Sequence, residues 1–398
     1  MPQWLYQFGR SPVLSAVELA AVFQRDFRRV PAAVVSREFL IADALGADPA
    51  QAIGRLGGIP KIAEVLQTGR WPDQGKLAHV LADTVAQASA GERKTFGVSL
   101  LPAQHVHRAN KLGLAVKRRL LEQGFRARYV SSDKQPLSSV TVEREGLLGD
   151  GVELTVAASG DEQAIARTVA IQPFAALSKR DYGRPNRDPV SGLLPPKLAI
   201  IMLNLSGLGP ESIVLDPFCG SGTVLQEAEL MGFRHLIGSD VSEQAVHASR
   251  DNLRWLRDAY GAKADDVTLK LWPMPFKQLP GKLGAESVDG IVTEPFLGPP
   301  IRRSTNPKVI TNAVGDLSRL YNDFLATARV LLKRGGALVT VVPKFRTGKQ
   351  TFRDLHLRTE GFAEPELVPA SWGVPKRALT YGRPDQHVYR RILVLRRK

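Results

Sequence analysis

The sequence predicts an α/β chain of two domains, the second built on a mainly parallel, doubly wound sheet. Three observations carry this expectation. From Ile213 onward, short apolar runs alternate with amphipathic stretches, as strands alternate with helices. The string Asp216-Pro217-Phe218-Cys219-Gly220-Ser221-Gly222-Thr223 ends one apolar run and opens an amphipathic stretch, so that strand, glycine turn and helix follow one another. A chain of 398 residues is also too long for a single small core.

Residues 1–175 read as a smaller α/β domain. Ser15-Ala16-Val17-Glu18 has the form of a capping box, ahead of a helical stripe of Ala16, Leu19, Ala20 and Phe23. A second helix is expected over Arg108–Glu122, with Leu112, Val116 and Leu120 as its apolar line and Gly124 as its C-terminal stop. Arg126–Val130, Leu137–Val142 and Glu153–Ala157 read as strands. Between Gln172 and Pro196 the prolines and a glycine oppose a continuous helix, and the charges oppose a buried strand. Residues 176–200 are therefore assigned to a linker or functional loop, leading through Pro195-Pro196 into an apolar helix.

Residues 201–398 form the second domain. Its expected strands are Ile213–Asp216, His235–Asp240, Val267–Leu271, Val288–Val292, Ala337–Val342 and His387–Leu395, with helices at Ser242–Arg257 and Leu317–Leu332. Glu366–Val368 is expected to pair with Val388–Leu395 as an antiparallel edge.

The net charge of +15 points to a polyanionic partner, nucleic acid first, with a cationic surface kept for solubility as the alternative. A single cysteine excludes an internal disulfide, and no Cys/His cluster has zinc spacing. His105 and His107 alternate but lack further ligands, so no metal is expected. The first residues lack a charged segment followed by an apolar core, and no window reaches the ~18 apolar residues of a membrane span. The sequence thus predicts a cytoplasmic protein.

In an open α/β sheet, ligands sit outside the carboxyl ends of the strands, where the strand order reverses. Asp216 ends the first strand of the second domain. Gly220 and Gly222 allow a tight turn and close backbone approach to a ligand, and Thr223 opens the helix. Asp240 lies 24 residues beyond Asp216, at the end of the next strand, where a carboxylate can accept from both ribose hydroxyls. The three-glycine spacing of dinucleotide sites is absent, which favours a ligand with ribose but no pyrophosphate. Cys219 has no histidine placed to activate it and reads as a small buried thiol.

With these residues the chain resembles the nucleic-acid amino-methyltransferases, and most closely the THUMP-containing tRNA guanosine-N2 methyltransferases. The resemblance rests on Asp216–Thr223, on Arg180-Asp-Tyr-Gly-Arg-Pro185, and on Gly192-Leu-Leu-Pro-Pro-Lys-Leu-Ala199. Weaker likeness comes from Gly57-Gly-Ile-Pro-Lys-Ile-Ala-Glu64, Arg128-Tyr-Val-Ser-Ser132 and Leu137-Ser-Ser139. It implies a THUMP-like RNA-binding domain followed by a Rossmann-like catalytic domain that uses S-adenosyl-L-methionine. Asp216, Phe218, Gly220, Gly222, Thr223 and Asp240 would then bind the cofactor.

The resemblance also implies an acceptor motif of Asp/Asn-Pro-Pro-Tyr/Phe, where this chain has Glu294-Pro295-Phe296-Leu297. Glu294, Pro295 and Phe296 are the expected catalytic residues, with Phe296 stacking on the base in a register that allows one deletion. Glutamate carries its oxygens roughly 1.5 Å further from the backbone than aspartate would. The third strand leads into Trp272-Pro273-Met274-Pro275 where the family often has an acidic residue, leaving apolar packing against adenine.

Lys179, Arg180, Arg184 and Arg187 precede the catalytic half, and Arg302 and Arg303 follow the acceptor motif. These six are the expected RNA contacts, through sequence-blind phosphate attraction. The expected substrate is tRNA, methylated on a guanosine N2 amine near the D-arm. Two alternatives stand: a DNA adenine or cytosine amino-methyltransferase, and a non-catalytic RNA-binding protein that keeps the fold. A protein partner subunit is left open.

Overall fold

The computed structural model describes residues 2–398 apart from 44–47, 72, 104–105, 188–193, 262–265, 303, 348–350, 376–378 and 384. The chain divides into two compact units. The first comprises residues 1–16, 30–174 and 369–374, and the second residues 17–29, 175–368 and 375–398.

The first stretch of chain forms β1 (Gln3–Gln7), α1 (Pro12–Phe27), β2 (Ala33–Val35), β3 (Phe39–Asp43), α2 (Pro49–Gly54) and β4 (Lys61–Gly69). Then follow α3 (Gln74–Ala88), β5 (Arg93–Leu101), α4 (Val106–Glu122), β6 (Arg126–Val130), α5 (Ser139–Arg144), β7 (Val152–Ser159) and β8 (Glu162–Ile171). The strands make one mixed sheet in the order β2-β3-β1-β4-β8-β7-β5-β6. Among the described residues, only β5 pairs in parallel, with β6 and β7. Apolar faces of α3 and α4, including Leu81, Val85, Leu112 and Val116, share a buried cluster with Phe96, Val98 and Leu154.

Two local readings are corrected here. Leu137–Val142 is not a strand: the Ser138 hydroxyl accepts the Thr141 N–H at 3.1 Å and starts α5. α1 begins at Pro12, so Ser15 lies inside the helix rather than capping it, and its hydroxyl donates to the Gly58 carbonyl at 2.7 Å. Strand β8 carries the buried Ala164, Ile165, Ala166 and Ala170, and small residues gave it little apolar contrast in sequence.

The second unit contains α6 (Phe174–Tyr182), α7 (Pro196–Ser206), β9 (Ile213–Asp216), α8 (Thr223–Leu230), β10 (His235–Asp240), α9 (Glu243–Tyr260) and β11 (Thr268–Pro273). It continues with α10 (Leu279–Leu283), β12 (Val288–Thr293), α11 (Pro307–Leu331), β13 (Leu332–Arg346), β14 (Phe352–Arg353), β15 (Phe362–Ala363), β16 (Leu379–Tyr381) and β17 (Val388–Arg397). The sheet order is β11-β10-β9-β12-β13-β17-β15. Strands β11 to β13 are parallel and β17 runs antiparallel to β13.

The order reverses between β9 and β12, so the crevice for a ligand opens at their carboxyl ends. Helix α7 is buried at every position but Lys197, as expected of a helix apolar all round. Helix α11 buries the stripe Ile310, Val314, Leu317, Tyr321, Phe324, Leu325 and Ala328 against Leu215, Ile291 and Leu338 of the sheet. The expected edge pairing needs correction: β17 lies inside the sheet, and its far neighbours are Phe362–Ala363 and Leu379–Tyr381 rather than Glu366–Val368. Among the described residues, no helix is long and apolar enough to cross a membrane.

Candidate active site

The carboxyl ends of β9, β10, β11 and β12 bring the predicted cofactor and acceptor residues to one edge of the sheet. Asp216 sits opposite Gly238, and Asp240 opposite Pro273, in the parallel registers. Gly220 and Gly222 adopt positive φ values of 49° and 84°, which disfavour any side chain. A Cβ on Gly222 would lie 2.4 Å from Ser249 Oγ, whereas Gly220 faces open space. The turn is thus closed on its protein side at Gly222 and open at Gly220.

Asp240 fastens this turn to the neighbouring strand. Its two carboxylate oxygens accept from the Gly220 and Ser242 N–H groups, each at 3.0 Å. Each oxygen keeps a lone pair, so the carboxylate can still receive hydroxyl donors. Trp272 and Met274, half-buried at the end of β11, lie on the same edge and pack against the apolar core.

Asp216 is buried, and its Oδ1 accepts from Thr293 Oγ1 at 2.6 Å and from the Phe218 N–H at 3.2 Å. It therefore ties β9 to β12 and shapes the turn. Burial raises its pKa from 3.8 to about 7, against the lowering effect of those two hydrogen bonds. The folded protein then binds this proton more tightly than the unfolded chain does. Its contribution to stability is present below about pH 4 and is lost as pH rises through about 7. We expect Asp216→Asn to remove that part of the pH dependence. Urea unfolding at pH 5 and pH 8 checks it: the wild-type loss between these pH values should shrink in the variant.

Phe218 follows Pro217 in the turn and is half-buried. Its ring packs into the core against Phe276 at 5.1 Å and Phe324 at 5.3 Å. Cys219 is buried as expected, and burial pushes its thiol well above the ordinary range, away from nucleophilic use.

The acceptor motif follows directly from β12. Glu294 turns toward β17 and takes both arms of Arg390, at 2.7 and 3.2 Å. Burial raises the Glu294 carboxyl above its ordinary value, and the Arg390 charge offsets part of that. Pro295 is buried, while Phe296 is 57% exposed. Tyr321 OH lies 3.4 Å from the Phe296 carbonyl. Sequence reasoning missed Arg390, since nothing in a strand near the C-terminus signals a partner 96 residues away.

The basic residues separate into two groups. Lys179, Arg187 and Arg302 are exposed, as a phosphate contact requires. Arg187 lies 5.1 Å from the ring of Tyr182. Arg180 and Arg184 must be withdrawn as RNA contacts. Arg180 is buried and bonds Glu227 at 2.6 and 3.1 Å, while Arg184 is buried and donates to Thr223 Oγ1 at 2.6 Å. Both belong to the stretch read as linker or loop, whose charges were taken for surface charges. Arg303 lies outside the described residues.

The family model UPF0020, an RMKL-like methyltransferase domain, matches residues 184–362. A tRNA (guanine(10)-N2)-dimethyltransferase of Methanothermobacter thermautotrophicus is 32% identical over 186 residues, covering 45% of this chain and 48% of that protein. A probable tRNA (guanine(10)-N2)-dimethyltransferase of Methanothermococcus thermolithotrophicus is 36% identical over 162 residues, covering 40% of this chain and 85% of that relative. The chain thus spans about half the length of the first relative and most of the second. The crystal structure of TrmN from Thermus thermophilus matches over 100% of both chains, with a TM-score of 0.55 at 18% identity, and shares the fold. A switch-point crevice with a glycine turn fastened by Asp240, together with these relatives, leads to one assignment: the chain belongs to the tRNA guanine-N2 methyltransferase family.

Proposed function

We propose that this protein transfers a methyl group from S-adenosyl-L-methionine to the exocyclic N2 amine of a guanosine in tRNA, near the D-arm. The observation that carries the reading is the Asp240-fastened turn beside the exposed Phe296, on the same sheet edge. The names of the relatives support tRNA as the polymer.

The residues present fit the cofactor. Gly220 leaves open space over the turn, Asp240 keeps lone pairs for ribose hydroxyls, and Trp272 and Met274 supply an apolar wall. When bound, the cofactor supplies an electrophilic methyl group on a good leaving group. What remains for the protein is mostly alignment. Phe296 offers its ring for stacking the base, and the exposed cations Lys179, Arg187 and Arg302 attract phosphates.

An aromatic amine is a poor nucleophile while its lone pair is conjugated with the ring. Acceptors on its N–H groups favour the pyramidal form and stabilise the charge that develops. Glu294, oriented by Arg390, keeps lone pairs for this role, beside Pro295. The first unit serves in this reading as the THUMP-like RNA-binding module.

Two measurements bear on the proposal. Labelled methyl transfer should mark unmodified tRNA and leave duplex DNA unmarked; label on DNA alone would favour the DNA alternative. Calorimetry on Asp240→Ala should show S-adenosylhomocysteine affinity reduced about 10-fold or more, because a charged acceptor is lost and the turn is unfastened. Unchanged affinity would remove Asp240 from the site.

A further inference from the structure

Among the described residues, Tyr182 and Phe296 are the two exposed aromatics, at 63% and 57%. Phe296 lies in the loop after β12, where a base would be methylated. Tyr182 ends α6, and its ring has no role in the site described so far. One exposed apolar side chain is ordinary on a protein surface, so the setting of this ring decides its meaning.

The segment that carries Tyr182 is held from both sides. Within α6, the buried Arg180–Glu227 pair joins the helix to α8, and the Tyr260 hydroxyl of α9 donates to the Ala176 carbonyl at 3.1 Å. Beyond α6, the buried Asn252 of α9 grips the chain at Asn186. Its amide oxygen accepts the Asn186 N–H at 2.9 Å, and its amide nitrogen donates to the Asn186 carbonyl at 2.8 Å. The same nitrogen donates to the Ser221 carbonyl at 2.9 Å, inside the glycine turn. Asn252 thus fastens the stretch from Tyr182 to Arg187 to the turn that would hold the cofactor.

Arg187 sets its guanidinium 5.1 Å from the centre of the Tyr182 ring, within the range of a cation–π contact, and both side chains stay exposed. Lys179, three residues before Tyr182, is exposed as well. A rigid ring face beside two cations matches a nucleotide, whose base stacks on the ring while its phosphate takes the charge. The net charge of +15 favours such a polyanion over an apolar protein partner. A base inside a duplex has both faces covered by its neighbours, so the occupant must be unpaired.

We propose that Tyr182 stacks on an unpaired base of the RNA substrate, with Arg187 at an adjoining phosphate. The proposal rests on the RNA reading above and deepens it, by naming where a base other than the methylated guanosine is held. Tyr182 is here a binding residue and takes no part in the chemistry.

The test measures binding of an unmodified tRNA transcript to the full chain over a series of salt concentrations. Tyr182→Ala should weaken binding about five-fold or more and leave the slope of log affinity against log salt unchanged, because no charge is lost. Tyr182→Phe, which keeps the ring, should stay within about two-fold of wild type. Arg187→Gln should weaken binding and make the slope shallower by about 1. S-adenosylhomocysteine affinity should remain within about two-fold of wild type in all three variants. Wild-type tRNA affinity in Tyr182→Ala would overturn the proposal. So would a slope in Tyr182→Ala as shallow as that of Arg187→Gln, since the ring would then only steady the arginine. An equal loss of S-adenosylhomocysteine affinity would move the ring into the cofactor site instead. If the wild type binds no tRNA, the substrate reading itself fails and takes this proposal with it.

Discussion

Replacing Arg180 with Met is expected to cost the second unit about 3–5 kcal/mol, the largest single stability loss in this account. The reason is the partner left behind. Glu227 is buried on α8, and Arg180 supplies both hydrogen bonds that satisfy its oxygens. Burial alone would lower the Arg180 pKa, but Glu227, helped by Tyr260, more than offsets this and holds the guanidinium above its ordinary value. Without Arg180, Glu227 must either remain as an unpaired buried charge or take up a proton. Urea unfolding measures the loss directly. A double variant, Arg180→Met with Glu227→Met, should recover most of it, because an apolar pair of similar volume often matches a buried ion pair. A single variant as stable as the wild type would show that Glu227 finds solvent or another donor.

Glu294→Gln is expected to lower the turnover of methyl transfer by about 10²–10³-fold, the size of effect seen when a preorganised polar contact to developing charge is removed. Gln keeps the volume and can still accept one N–H from Arg390, so the loop should remain in place. S-adenosylhomocysteine affinity should therefore stay within a few-fold. Single-turnover kinetics separate this outcome from loss of binding. A rate within about two-fold of wild type would assign the carboxylate to holding Arg390 and leave the amine to other acceptors.

Much of the second unit was legible because parallel strands buried on both faces read as continuous apolar runs, and their ends are marked by Asp216, Asp240 and Glu294. The glycine turn was legible because Gly220 and Gly222 stand where backbone geometry disfavours other residues. Contacts between distant segments were not. Arg390 faces Glu294 only because β17 inserts beside β13, and that insertion is a matter of sheet order rather than of local pattern. Arg180 and Arg184 looked like surface cations in a proline-rich stretch. Only the fold shows α6 ending at Tyr182 and the two guanidinium groups turned toward α8. The packing of Phe218 was hidden for the same reason: its ring completes an aromatic cluster with Phe276 and Phe324, which come from elsewhere in the sequence.

The central claim is that the glycine turn and the Glu294-Pro295-Phe296 loop act together on a guanosine of tRNA. Its most direct test is nucleoside mass spectrometry of tRNA from a strain lacking the gene, before and after incubation with the purified protein and S-adenosyl-L-methionine. The account predicts the appearance of an N2-methylated guanosine, mapped near the D-arm, that is missing before incubation. Cofactor binding without any newly methylated guanosine in that tRNA would contradict it.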